Sequence, residues 1–96
     1  MKLPKEIKIL GLTYKIEEVA VVNKTEALWG QIDHQEQVIK IDADMSDERK
    51  GQTFMHELLH GVLAELGYDE LNENENAVQS ISATLYHALS SQTISF

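Results

Sequence analysis

Thr53-Phe54-Met55-His56-Glu57-Leu58-Leu59-His60 sets two imidazoles four residues apart, with a carboxylate between them, inside an apolar run. Four residues is just over one helical turn, so on a helix both rings leave the same face and can grip one ion, with Glu57 beside them. Zinc suits such a site, because it prefers tetrahedral coordination by neutral imidazole and carboxylate and, in catalytic sites, keeps one position open for water. A water activated in that position becomes a nucleophile near neutral pH. Glu57 would then take its proton during attack on a carbonyl and deliver it to the leaving group. The alternative is a pair of histidines that merely decorate an amphipathic helix.

The surroundings support the helix. Met55, Leu58, Leu59, Val62, Leu63 and Leu66 recur at spacings of three and four. Ser46 offers an N-cap, Asp47 and Glu48 fill the first turn where the helix dipole favours negative charge, and Gly67 stands where a helix stops. A helix over 46–66 is therefore predicted.

Upstream the period changes from helical to alternating. Ile7–Leu10 and Tyr14–Val19 read as short strands about Gly11, and Leu28–Asp33 and Gln37–Asp42 as a β-hairpin around the polar turn His34-Gln35-Glu36, with Ile39 and Ile41 on one face. Downstream, after a short acidic loop, a second helix is expected over 73–90. The fold class implied is α+β: a small, mainly antiparallel sheet from residues 7–42 packed on the helix that carries the histidines, with a second, C-terminal helix completing a minimal zincin-like domain.

Two histidines do not complete a zinc site, and the third ligand distinguishes zinc-hydrolase classes. The extended pattern with Gly and a third His is absent, because Leu63 and Leu66 occupy those positions. A carboxylate from the following helix is the other common solution, with Glu70, Glu73 and Glu75 as candidates. Helical phase puts Glu75 on a stripe with Val78, Ser82 and Leu85, and Glu73 in line with Ala77, Ser80 and Thr84, which favours Glu75. Against this, Asn72 followed three residues later by Glu75 also reads as a capping box that needs no metal.

Composition bounds what surrounds the site. Ninety-six residues make one domain, taken here as 1–96, near the small end for stability. Cysteine is absent, so zinc would be held by His and carboxylate alone, and a reducing compartment is implied. Met1–Glu6 lacks the apolar stretch of a signal peptide, and no run approaches the length that spans a bilayer, so a cytoplasmic location without membrane association is expected. All eight Lys and Arg lie at or before Lys50, whereas residues 51–96 carry six carboxylates, in a chain of net charge −8. A phosphate backbone would be repelled by that half, which argues against direct nucleic-acid binding.

Together the segments Trp29-Gly30-Gln31-Ile32-Asp33, Ile39-Lys40-Ile41-Asp42, Thr53–His60 and Glu75-Asn76-Ala77-Val78 with Leu85-Tyr86 resemble the small phage and prophage members of the ImmA/IrrE-like metallopeptidase group. The resemblance spans roughly residues 7–90 and is most specific at the helix of the two histidines. It implies zinc held by His56, His60 and a downstream Glu, mapped onto Glu75, in a peptidase of the host cytoplasm that cuts an intracellular protein. Helix-turn-helix repressors of mobile elements are the substrates it suggests. The chain departs from larger members in having Leu85-Tyr86-His87-Ala88 where they carry a Leu-Leu-Met-Pro-like stretch.

Four further residues are candidates for polarising a substrate carbonyl: His34, His87, Tyr68 and Tyr86. Trp29 reads as a core or sheet-face residue, with a place lining a peptide groove as the alternative. A reading of a different class stays open, a non-catalytic zinc-stabilised interaction module in which the metal contributes folding energy. It binds zinc equally but has no use for Glu57.

Overall fold

The computed structural model of the chain describes residues 2–91. β1 (Glu6–Ile9) and β2 (Leu12–Val19) form an antiparallel hairpin. Its two-residue turn, Leu10-Gly11, takes positive φ at both positions (48° and 83°), the geometry that matches the twist of paired strands. β3 (Gly30–Asp33) and β4 (Val38–Asp42) form the second hairpin, and the Asp33 carboxylate closes its turn by accepting from the N–H groups of Gln35 and Glu36 at 3.0 and 2.9 Å.

The strand order is β1-β2-β4-β3, with β2 and β4 parallel and Ile16 opposite Ile39. The sheet is thus mixed, with two antiparallel pairings flanking a parallel one. Residues 20–29 carry the chain past the future place of β4, and β3 ends as an edge strand. Asn23 shapes this crossing, its side-chain oxygen accepting from the N–H groups of Thr25 and Glu26.

α1 (Asp47–Leu66) follows the local signals closely: Ser46 Oγ accepts from the Arg49 N–H, and Gly67, at φ 78°, ends the helix by donating to the Ala64 carbonyl. One face of α1 gives Phe54 to a fully buried cluster with Ile9, Tyr14, Ile39 and Ile41, with Leu58 and Val62 packed against it. Burial of each such side chain contributes about 1.5–3 kcal/mol, enough to fix the register of a strand whose slip by one residue would expose Ile39 and Ile41.

The acidic segment expected as a loop is the short helix α2 (Asp69–Glu73), and α3 runs from Glu75 to Ser90. α3 packs on the face of α1 away from the sheet, which makes α1 the middle layer. The buried stripe of α3 is Val78, Ser82 and Tyr86, while Leu85, placed on that stripe from sequence, is exposed. Gly51 makes the close approach possible, since a Cβ there would lie 2.5 Å from the Tyr86 ring. The capping box is also corrected: Asn74, not Asn72, caps α3, accepting from the Ala77 N–H at 3.1 Å.

Candidate metal centre

His56 and His60 leave α1 on one face, their ring centroids 4.8 Å apart. Glu75, the first residue of α3, reaches them both: its carboxylate oxygens lie 2.9 Å from His60 Nε2 and 3.4 Å from His56 Nε2. Each of the three offers an atom to a group spanning no more than 4.8 Å. Glu73 falls in α2, on the other side of the Asn74 break, so its supposed alignment with Ala77 and Ser80 does not exist. Among the described residues neither Glu73 nor Glu70 joins the group.

The other ring nitrogens decide whether this group suits an ion. His60 Nδ1 donates to the Asn72 side-chain oxygen at 2.6 Å, and His56 Nδ1 donates to the Gln79 side-chain oxygen at 2.9 Å. With Nδ1 carrying the hydrogen in both rings, each Nε2 is left to turn a lone pair toward the space beside Glu75. Two oriented imidazoles and one carboxylate are the donor set of a divalent-cation site with positions to spare.

From sequence Asn72 is read only as a helix cap, and Gln79 is not picked out. A signal exists for Gln79, which stands four residues after Glu75 on the same face of α3, since a ligating imidazole needs an acceptor at its second nitrogen; Asn72 lies in α2, across the Asn74 break, where helical phase could not place it.

Glu57 stays outside the ligand group. Burial pushes its carboxyl above the usual carboxylate range, and the neighbouring His56 and His60, with the backbone of Ile32, act in the opposite direction. The reason for its burial is the closeness of β3. A Cβ on Gly30 would lie 2.5 Å from Thr53 Cγ2 and 3.3 Å from Glu57 Cγ, so only glycine lets the edge strand lie against that turn of α1.

Beside this contact a cleft of about 260 Å³ opens, lined by Trp29, Gly30, Arg49, Thr53, His56 and Glu57 among others. Trp29 is therefore not a core residue. It is 56 % exposed on the cleft wall, with the Arg49 guanidinium carbon 4.5 Å from its ring centroid. None of the four residues considered for carbonyl polarisation lines this cleft. His34 sits in the hairpin turn beside the Tyr14 hydroxyl, Tyr86 is buried against Gly51, and Tyr68 and His87 are exposed elsewhere.

The chain belongs to the family described as the IrrE N-terminal-like domain (Peptidase_M78), which matches residues 17–88, from within β2 to near the end of α3. Neither the curated proteins nor the solved structures contain a significant match to it. Membership supports a metallopeptidase-type enzyme, and the His56, His60 and Glu75 group can bind a metal ion. Among the described residues no helix is long and apolar enough to cross a membrane.

Proposed function

We propose that this member of the family is a zinc-dependent peptidase acting on an intracellular protein, with a repressor of a phage or other mobile element as the substrate to try first. The observation that carries the reading is positional. Glu57 is next in sequence to a member of the metal-binding group yet lines the cleft rather than joining that group.

His56, His60 and Glu75 would hold the ion, which supplies Lewis acidity to lower the pKa of water and polarise a carbonyl. Glu57 would take the proton of the attacking water and return it to the departing amine nitrogen. Gly30 keeps β3 close enough that the cleft wall is the sheet edge, so an extended peptide would dock there through main-chain hydrogen bonds. Asn72 and Gln79 hold the two rings in orientation throughout.

Glu57→Gln tests this. The variant should retain zinc and fold while losing about 10²–10⁴ in the rate of a discrete, chelator-sensitive cut in a candidate repressor. Undiminished cleavage by the variant would reject the role of Glu57. One observation favours the non-catalytic alternative: the metal-binding group joins α1 to α3, so an ion would add folding energy whether or not chemistry follows. Tight repressor binding that survives Glu57→Gln, with no cleavage by the wild type, would establish that alternative.

A further inference from the structure

Arg49 stands on the same face of α1 as the metal-binding histidines, seven residues before His56 and hence about 10 Å from it along the helix axis. It lines the same cleft, and its guanidinium carbon lies over the exposed ring of Trp29, 4.5 Å from the centroid. The ring covers one side of the guanidinium, and among the described residues none of its N–H groups donates a hydrogen bond to a protein acceptor.

Among the described residues Arg49 enters no ion pair, although Asp47 and Glu48 precede it in the chain. Its neighbour Lys50 is instead paired with Glu18 at 2.7 Å. The other polar side chains of the cleft near it, Gln52 and Thr53, are neutral. The cleft is therefore polarised, with an unpaired cation at one end and the carboxylate of Glu57 at the other.

From these observations we infer that Arg49, held by Trp29, selects peptides carrying a carboxylate about three residues from the bond to be cut. The spacing follows from the 10 Å offset and the advance of about 3.3 Å per residue of an extended chain. A planar guanidinium with a free rim matches a carboxylate through two parallel N–H···O bonds. The net charge of −8 does not oppose this at contact range, because exposed charges more than about 8 Å away are largely screened at physiological ionic strength. The inference rests on the peptidase reading of the cleft and adds to it the chemistry of the substrate.

Trp29 is the sole tryptophan of the chain, so its emission reports occupancy of this end of the cleft without any need for turnover. The experiment uses the zinc-loaded full chain and extended peptides blocked at both ends, in which one Glu is moved through successive positions, each with a Gln counterpart. An all-Gln peptide with a free C-terminus distinguishes a terminal carboxylate from a side-chain one. Binding is read on Glu57→Gln protein by Trp29 emission, and cleavage on the wild type.

At one register the Glu peptide should bind about five-fold more tightly than its Gln counterpart, the range of a well-formed exposed Arg–carboxylate pair. Arg49→Gln should erase that difference, Arg49→Lys should keep part of it, and Arg49→Glu should turn it into a preference for Lys. A gain confined to the free-acid peptide, lost in Arg49→Gln, supports the inference with the terminal carboxylate as source. No preference for a Glu at any position or for the free-acid peptide, or a preference that persists in Arg49→Gln, overturns it. Discrimination in binding with no cleavage by the wild type upholds Arg49 and rejects the peptidase reading. Cleavage without discrimination does the opposite.

Discussion

Asn72→Ala removes the acceptor that holds His60 Nδ1 at 2.6 Å and leaves the fold of α1 and α3 otherwise untouched. Without it the ring is free to rotate and to exchange tautomers, so its Nε2 no longer waits in place for an ion. Loss of such an orienting partner typically weakens metal affinity by about 10–100-fold, or about 1.4–2.7 kcal/mol. The sequence offers a different role for the same residue, that of a helix cap, whose loss would cost about 0.5–2 kcal/mol of stability with or without metal. The structure gives that role to Asn74, which accepts from the Ala77 N–H. The two alanine variants should therefore separate cleanly. Zinc affinity, measured by competition with a fluorescent chelator, should fall in Asn72→Ala and hold in Asn74→Ala. Urea unfolding of the metal-free proteins should show the reverse order. Wild-type zinc affinity in Asn72→Ala, together with a loss of metal-free stability, would refute the assignment and restore the capping box.

Three further outcomes are expected. Glu75→Gln should lower zinc affinity while Glu73→Gln leaves it near wild type, because only Glu75 lies within contact of both histidines; elemental analysis of the purified variants checks this. Gly30→Ala forces a methyl group against Thr53 and the Glu57 stem and should cost about 1–3 kcal/mol in chemical denaturation, with a larger fractional loss of peptide binding because β3 must move off α1. Tyr14 is held protonated above its ordinary range by burial and by its bond to Glu65, so the unfolded chain loses this proton first as pH rises. The stability the hydroxyl contributes is whole below about pH 10 and is lost above it. Tyr14→Phe should then cost about 1 kcal/mol near neutrality and flatten the alkaline fall in stability, followed by denaturation across pH.

Local signals were legible and tertiary ones were not. Ser46 and Gly67 bracket α1 because caps act within four residues of themselves, and Ile39 and Ile41 could be placed inside because alternation marks a face. Alternation does not name a neighbour, however, so nothing in Ile16 foretold that β4 would pair with it in parallel and push β3 to the edge. The pairing of His56 and His60 was readable from a spacing of four, and Glu75 from helical phase. That phase was only partly right, since α3 starts two residues later than expected and buries Tyr86 in place of Leu85. Asn72 was read as a helix cap, and Gln79 and Arg49 escaped notice, because a polar side chain on a helix looks solvated until the element facing it is known.

The brevity of β3 sets a limit on what its open edge can recognise. Four residues in a strand turn the N–H and C=O of about two outward, so a docked chain gains about four hydrogen bonds at most, worth about 0.5–1.5 kcal/mol each. Immobilising a partner costs about 4–15 kcal/mol. Backbone pairing alone, at about 6 kcal/mol in all at most, therefore holds a passing extended segment no more tightly than millimolar. A cell is crowded with nascent and transiently unfolded chains that all present the same backbone, and a longer edge would sequester them indiscriminately. Here residence on the edge has to come from side chains, which converts a generic adhesive surface into one that is quiet toward most of the proteome.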